Sequence, residues 1–241
     1  MKLRSVLLLV MMVCLTATPV LALDFEGSAS LGVYDKYLWR GIDLSDSTAV
    51  TQGAAEISAN GFKLGVWANA QLGTDGAYDG GRINEVDLTL EYGFSLGEML
   101  SLSVGNISYA LEDLNDTNEA YAGVTVNTLL SPTLTAYWDW DEAEENGLFY
   151  SAAVSHTFEP CSHAGINLGA LVSYNDKSDY AVGNYSDWHN YELNASVDFK
   201  PIENLTITPS LLYSTPISDE AKQAIDSEWL AGLNLSYSFN F

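Results

Sequence analysis

The chain ends with Ala231-Gly-Leu-Asn-Leu-Ser-Tyr-Ser-Phe-Asn-Phe241, in which apolar residues alternate with small or polar ones. Successive residues of a β-strand point to opposite sides, so one side of this segment carries leucine and aromatic side chains and the other carries glycine, serine and asparagine. The alternation continues up to the aromatic residue Phe241. The segment therefore predicts a strand with one side in lipid and the other facing a polar interior.

The amino-terminal residues have the three parts of a secretory signal. Lys2 and Arg4 form a short positive region, residues 6–15 are apolar, and Val20-Leu-Ala22 offers a small-residue cleavage site. The apolar run is shorter than the ~20 residues that a membrane-spanning helix needs. We therefore expect residues 1–22 to be removed as a signal peptide.

Charge and composition narrow the class of protein. The full chain has 9 basic and 32 acidic residues and a net charge of −23, and loss of the signal, which holds two of the basic residues and none of the acidic ones, would give −25. Such a chain is unsuited to nucleic acid. It is also 47% hydrophobic with 14 Tyr and 6 Trp. A β-barrel reconciles these facts, because only every second residue faces lipid and aromatic residues gather at the two membrane interfaces.

Period-2 alternation continues through the whole mature chain and predicts about 12 strands. Their lengths suit tilted strands that cross a bilayer. We predict an all-β fold, a transmembrane antiparallel up-and-down β-barrel over residues 23–241, with a soluble β-sandwich as the alternative that has the same strand spacing. The predicted strands are 28–39, 47–58, 61–72, 82–95, 99–110, 118–130, 132–141, 147–158, 164–175, 188–200, 204–214 and 229–241.

The connections alternate between short turns, such as Asn60-Gly61, and longer polar stretches, such as residues 176–187 and 215–228. Short periplasmic turns and longer external loops are typical of bacterial outer-membrane barrels. The sequence thus predicts the outer membrane of a Gram-negative bacterium, with both chain ends in the periplasm. The expected partners are outer-membrane lipid, lipopolysaccharide and the outer-membrane assembly machinery, for which Phe241 would be the assembly signal.

Three segments near the amino terminus are more specific than alternation. Tyr37-Leu-Trp-Arg-Gly-Ile42, Ala49-Val-Thr-Gln-Gly53 and Gly61-Phe-Lys-Leu-Gly-Val-Trp67 together resemble the amino-terminal signature of the TorF-like family of outer-membrane porins. Members of that family often carry a proline where this chain has Thr48. The resemblance implies a barrel with porin-like transport and does not supply a solute.

Parity along the predicted strands places several charged or large side chains on the lumen side. Arg40 could clamp the first loop to the wall by pairing with carboxylates, or it could orient an anionic group in a constriction. Lys63 has the same two interpretations, and Trp67 would fill a narrow barrel. The candidate lumen or pore-lining residues are Arg40, Lys63, Trp67, Arg82, Glu85, Asp87, Glu91, Asp139, Asp141, Glu192 and Asp198.

These features favour a narrow outer-membrane porin that passes ions or small solutes and prefers cations. The alternative is a closed structural or surface-interaction barrel. An outer-membrane hydrolase is a weaker hypothesis, since His189 is the one histidine with nearby external carboxylates and no nucleophile, base and orienting group share a motif. No cofactor and no metal site are predicted, because the acidic stretch 139–145 lacks the residue order of a known calcium loop.

Overall fold

The computed structural model describes residues 24–74, 76–78 and 80–240, and these form a closed antiparallel barrel of twelve strands with one small hairpin inserted. The predicted signal peptide and Phe241 lie outside the described residues. The barrel strands are β1 (Glu26–Tyr34), β4 (Val50–Ala59), β5 (Phe62–Gln71), β6 (Ile83–Leu96), β7 (Leu100–Leu111), β8 (Thr117–Val126), β9 (Thr133–Asp139), β10 (Leu148–Cys161), β11 (Ala164–Asp176), β12 (Ser186–Ile202), β13 (Leu205–Pro216) and β14 (Glu228–Asn240). The hairpin consists of β2 (Leu38–Trp39) and β3 (Ile42–Asp43).

Each barrel strand pairs with its neighbours along the chain, and β1 pairs with β14 to close the sheet. The closing register places Tyr34 opposite Gly232. The Tyr34 ring packs over Gly32 and Gly232. A Cβ atom added to either glycine would lie within 2.6 Å of the ring, so neither position has room for a side chain. The predicted all-β fold and its number of strands are confirmed.

The barrel wall has two different faces. Large apolar side chains on the outside are strongly exposed, among them Leu31, Leu90, Leu193 and Leu233. The lumen side carries most of the buried polar groups. This inversion of the usual soluble pattern is expected when the outer face lies in hydrocarbon. Within the described residues, no helix is long and apolar enough to cross a membrane.

The first predicted strand, 28–39, is wrong at its carboxyl end. β1 stops at Tyr34, and the side chain and backbone of Asp35 bond the backbone of Ala231 at the rim. Residues 35–49 then leave the wall and fold inward. Leu38 and Trp39, which the predicted strand included, form β2, which pairs with β3 and with no barrel strand.

Other strand ends differ by a few residues. The second barrel strand begins at Val50 rather than at residue 47, because the inserted segment continues to residue 49. The sixth ends at Val126 rather than at residue 130. The chain turns there, and the Val126 amide donates to the carbonyl of Pro132.

The Asn60-Gly61 turn joins β4 to β5 as predicted. Both residues have positive φ, 52° and 85°, which is the conformation that favours Asn-Gly in two-residue hairpins. A Cβ on Gly61 would lie 2.4 Å from the carbonyl oxygen of Gly93. Since that oxygen belongs to the backbone of β6, it cannot move aside without disturbing the wall.

We expect Gly61→Ala to destabilise the barrel by about 2–4 kcal/mol, because the left-handed conformation and the backbone clash both penalise a side chain. Gly97→Ala is the matched control. Its φ is also positive, 66°, but no atom lies within 4 Å of the corresponding Cβ. Urea unfolding in detergent would compare the two, and equal losses would show that the clash with Gly93 contributes nothing.

Candidate functional site

Residues 35–49 fold into the lumen at the end of the barrel that carries the long loops, and we call them the plug loop. Its tip is the Arg40-Gly41 turn between β2 and β3. Both tip residues have positive φ, 49° and 78°. A Cβ on Gly41 would lie 2.8 Å from Cδ1 of Ile225, so the last long loop packs directly on this turn.

The Arg40 guanidinium forms a fork with the carboxylate of Glu119 on β8. Nη1 donates to Oε1 at 2.8 Å and Nη2 donates to Oε2 at 2.7 Å. The Tyr109 hydroxyl donates to Oε2 of the same carboxylate at 2.9 Å. The two charged side chains are 8% and 2% exposed. This is therefore a buried, bidentate ion pair between the plug loop and the wall.

Aromatic rings enclose the same guanidinium. Its Cζ lies 4.3 Å from the ring centroid of Trp39, 4.3 Å from that of Phe149 and 5.0 Å from that of Tyr137. All three distances are within the range of cation–π attraction, which strengthens when water is excluded. Arg40 is thus held by one carboxylate and three rings.

The plug backbone is fixed by His189 on β12. Its Nε2 lies 2.7 Å from the carbonyl oxygen of Arg40, and since a carbonyl can only accept, Nε2 carries the proton. Nδ1 is then the acceptor for the Tyr185 hydroxyl. The bulge between Val172 and Tyr174 in the β11–β12 pairing shifts the parity of β12, so that His189 and Asn190 are both fully buried.

The plug loop also contacts the opposite wall and the rim. The rings of Tyr37 and Trp67 on β5 are 5.4 Å apart. At the rim, Lys36 Nζ donates to Glu228 on β14 at 2.6 Å, and this hydrogen bond raises the pKa of Lys36 above its usual value. The plug contacts therefore span strands on several sides of the barrel.

The lumen differs between its two ends. At the level of the plug loop, polar wall side chains are buried: Asn69, Gln71, Asn84, Asn175, Asn190 and Ser214. Toward the short turns, inward-facing residues such as Glu56, Ser155 and Asn194 are exposed. The inserted loop thus fills the long-loop end, and water can enter from the short-turn end.

Several of the predicted lumen residues lie apart from the plug tip. Lys63 pairs with Glu91 across β5 and β6 at 2.9 Å. Trp67 packs on the plug through Tyr37. Arg82 pairs with Glu112 at 3.0 Å, and its side chain is 61% exposed. Arg82 therefore lies at the rim of the barrel rather than in the lumen.

Glu85 and Asp87 lie on β6, on the side of Tyr37 and Trp67. Glu85 is buried, and Asp87 Oδ1 is a buried oxygen without a hydrogen-bond partner among the described residues. In the register, Asp87 stands opposite Trp67. Both side chains therefore place carboxyl oxygens that are withdrawn from water beside the plug loop.

Three of the remaining predicted residues lie along the wall, whereas Asp141 is not a lumen residue, because it lies beyond the end of β9, is exposed, and bonds Asn118 on the outer side of β8. Asp139 accepts from Thr117 at 2.8 Å, Asp141 from Asn118 at 2.7 Å, Glu192 from Asn190 at 3.0 Å and Asp198 from Thr208 at 2.7 Å. Asp198 lies nearer the short turns. Across the described ranges, no three or more His, Cys, Asp or Glu side chains are arranged to hold a metal ion.

Sequence reasoning missed the wall partners of Arg40. Glu119 shares the parity of Thr117 and Tyr121, opposite the small apolar residues of β8, so its inward direction could have been derived from alternation. The inward direction of the His189 side chain could not have been derived from alternation, because it depends on the bulge in β12.

No protein-family model matches this chain, and no curated protein matches it in sequence. Solved structures do resemble it. The NanC porin is 13% identical over 90% of this chain and 99% of that chain, with a TM-score of 0.58. The KdgM porin is 14% identical over 88% and 99%, with the same TM-score. The COG4313 outer-membrane channel from Pseudomonas putida F1 is 11% identical over 92% and 97%, with a TM-score of 0.51. The chain has the fold of an outer-membrane β-barrel.

Proposed function

We propose that this protein is a narrow outer-membrane channel for small cationic or uncharged solutes, closed in the present conformation by its plug loop. The observation that carries the proposal is the buried pair between Arg40 and Glu119, which joins a loop to the wall across the lumen. A loop held by a few specific contacts can leave, whereas a packed apolar core cannot. The shared fold with porins and a channel supports transport.

The acidic wall supports a preference for cations. Glu56 faces inward and is exposed, Asp198 lies on the wall nearer the short turns, and Lys63 is already paired with Glu91. Carboxylates around a narrow passage concentrate cations and repel anions. The KdgM porin has been solved in complex with disordered oligogalacturonate, an acidic sugar chain. The wall described here is unsuited to such a solute.

The second candidate is a permanently closed structural barrel. It is favoured by the fully buried polar layer at the level of the plug loop, in which residues such as Asn69 and Asn190 have no exposed surface. The two hypotheses differ in conductance. A channel must open for part of the time, and a structural barrel never does.

For the open channel we expect cation selectivity in planar bilayers. In a KCl gradient the reversal potential should have the sign of K⁺ permeation, because the lumen carboxylates set the field. Screening should weaken the preference, since the Debye length falls from about 10 Å at 0.1 M salt to about 3 Å at 1 M. Glu56→Gln, in the exposed part of the lumen, should reduce the selectivity, and Glu203→Gln, on a short turn, is the matched control.

An anion preference at low salt would contradict the proposed selectivity and would give Arg40 and Lys63 the role of an anion constriction. Complete absence of conductance, also after removal of the plug contacts, would favour the structural barrel.

A further inference from the structure

The site that holds Arg40 is built almost entirely by the barrel wall. Glu119 lies on β8, Tyr109 on β7, Tyr137 on β9 and Phe149 on β10, which are four consecutive strands. Only Trp39 comes from the plug loop itself. Side chains on adjacent paired strands keep their positions when a loop moves, so these four residues would remain together as a preformed site if the plug loop left.

The chemistry of this wall site is specific for a planar, forked cation. The Glu119 carboxylate offers two oxygens to two N–H groups, and the Tyr109 hydroxyl fixes the carboxylate by donating to Oε2. The Phe149 and Tyr137 rings face the cation. A guanidinium satisfies both the fork and the rings, whereas an ammonium group is a point charge without the fork.

The tip of the plug loop has a conformation that does not favour arginine. In two-residue hairpin turns with positive φ at both central positions, Asn, Asp and Gly are preferred at the first. Arg40 holds that position with φ 49°, and left-handed conformations are unfavourable for residues with a long side chain. Turn geometry therefore does not explain why arginine stands at this position. The contacts with the wall site do explain it.

We propose that the wall site of Glu119, Tyr109, Tyr137 and Phe149 is a binding site for guanidinium-bearing solutes, and that Arg40 occupies it as an internal substitute for that ligand. A solute with a guanidinium group competes with Arg40 for Glu119 and releases the plug loop, so the channel is opened by a molecule that it binds. The release mechanism rests on the proposed channel function. The binding site itself can be tested without conductance.

Arg40→Ala leaves a guanidinium-sized space beside Glu119. Ethylguanidinium, ethylammonium and N-ethylurea are suitable probes because they separate the forked cation from charge alone and from shape alone. In calorimetry on the detergent-purified variant, we expect ethylguanidinium to bind about tenfold more tightly than ethylammonium, since bidentate charge-assisted bonds are the stronger kind. N-ethylurea should not bind.

Two double variants localise the binding. Arg40→Ala/Glu119→Gln should lose it, and Arg40→Ala/Glu91→Gln, which removes a lumen carboxylate elsewhere, should retain it. Equal affinity for ethylguanidinium and ethylammonium, or binding that survives Glu119→Gln, would overturn the proposal.

A second measurement keeps Arg40 in place, in case its removal prevents assembly. Ser45 in the plug loop has no exposed surface, so the thiol of Ser45→Cys, made with Cys161→Ser, should react with a thiol reagent only after the loop leaves. Ethylguanidinium should accelerate this reaction and N-ethylurea should not. The same slow rate with both would contradict competition with Arg40.

The outcomes distinguish the inference from the proposed function. If ethylguanidinium binds and releases the loop but no conductance follows, the channel function fails and the site stands. If the barrel conducts but neither binding nor release occurs, the site fails and the channel function stands.

Discussion

Replacing Arg40 with alanine is expected to open the barrel. The substitution leaves the buried Glu119 carboxylate without its cation while the plug loop is in place, and breaking a buried pair in this way costs about 3–5 kcal/mol, or roughly two to four powers of ten in population. Hydration of Glu119 relieves the cost only after the loop withdraws. Planar-bilayer recordings should therefore show a large rise in open probability over the wild-type barrel.

Lys63→Ala is the control for Arg40→Ala. It also breaks a lumen ion pair, but Lys63 is 34% exposed and its partner Glu91 is 21% exposed, so the expected effect is small. A folded Arg40→Ala barrel that stays closed would mean that the contacts of His189 and Ile225 hold the plug loop without the ion pair.

Deleting Phe241, or replacing it with Asp, is expected to remove most of the assembled barrel from the outer membrane while secretion continues. The last described strand forms nine residue pairs with β1, from Glu26 opposite Asn240 to Tyr34 opposite Gly232. A barrel that fails to close exposes strand edges whose backbone groups hydrocarbon cannot satisfy. The amount of heat-modifiable folded protein measures the effect.

Phe241→Tyr is the matched control, because it retains an aromatic side chain at the same position. If the deletion left the amount of folded barrel unchanged, Phe241 would have no part in assembly. A loss that is equally large with Phe241→Tyr would point to the exact side chain rather than to its aromatic character.

Most of the wall could be predicted from the sequence because a two-sided strand has a period of two. Residues 82–95 and 188–200 were predicted as strands from alternation alone, and they lie within or close to β6 and β12. The hairpin at Asn60-Gly61 followed from the conformational preference of its two residues. Each of these signals is local, and each involves only neighbours along the chain.

The plug loop could not be predicted in the same way. Tyr37 and Trp39 share the parity of Leu31 and Val33, so the pattern alone extends the strand past the point where the chain leaves the wall. The partner of Arg40 lies far along the sequence, and no local pattern identifies one carboxylate among 32 acidic residues. Glu119 can be identified as that partner only when the position of the plug loop against the neighbouring barrel strands is known.

The long sequence separation of the plug contacts has a consequence for biogenesis. Arg40 meets Glu119 79 residues later and His189 149 residues later, so its docking surface does not exist until β12 is in place. Contacts between distant segments form late, because a large loop must first be closed. We expect the plug loop to seat last, after the wall has assembled around it. Each newly made barrel would then pass through a short period in which it is inserted but not yet sealed.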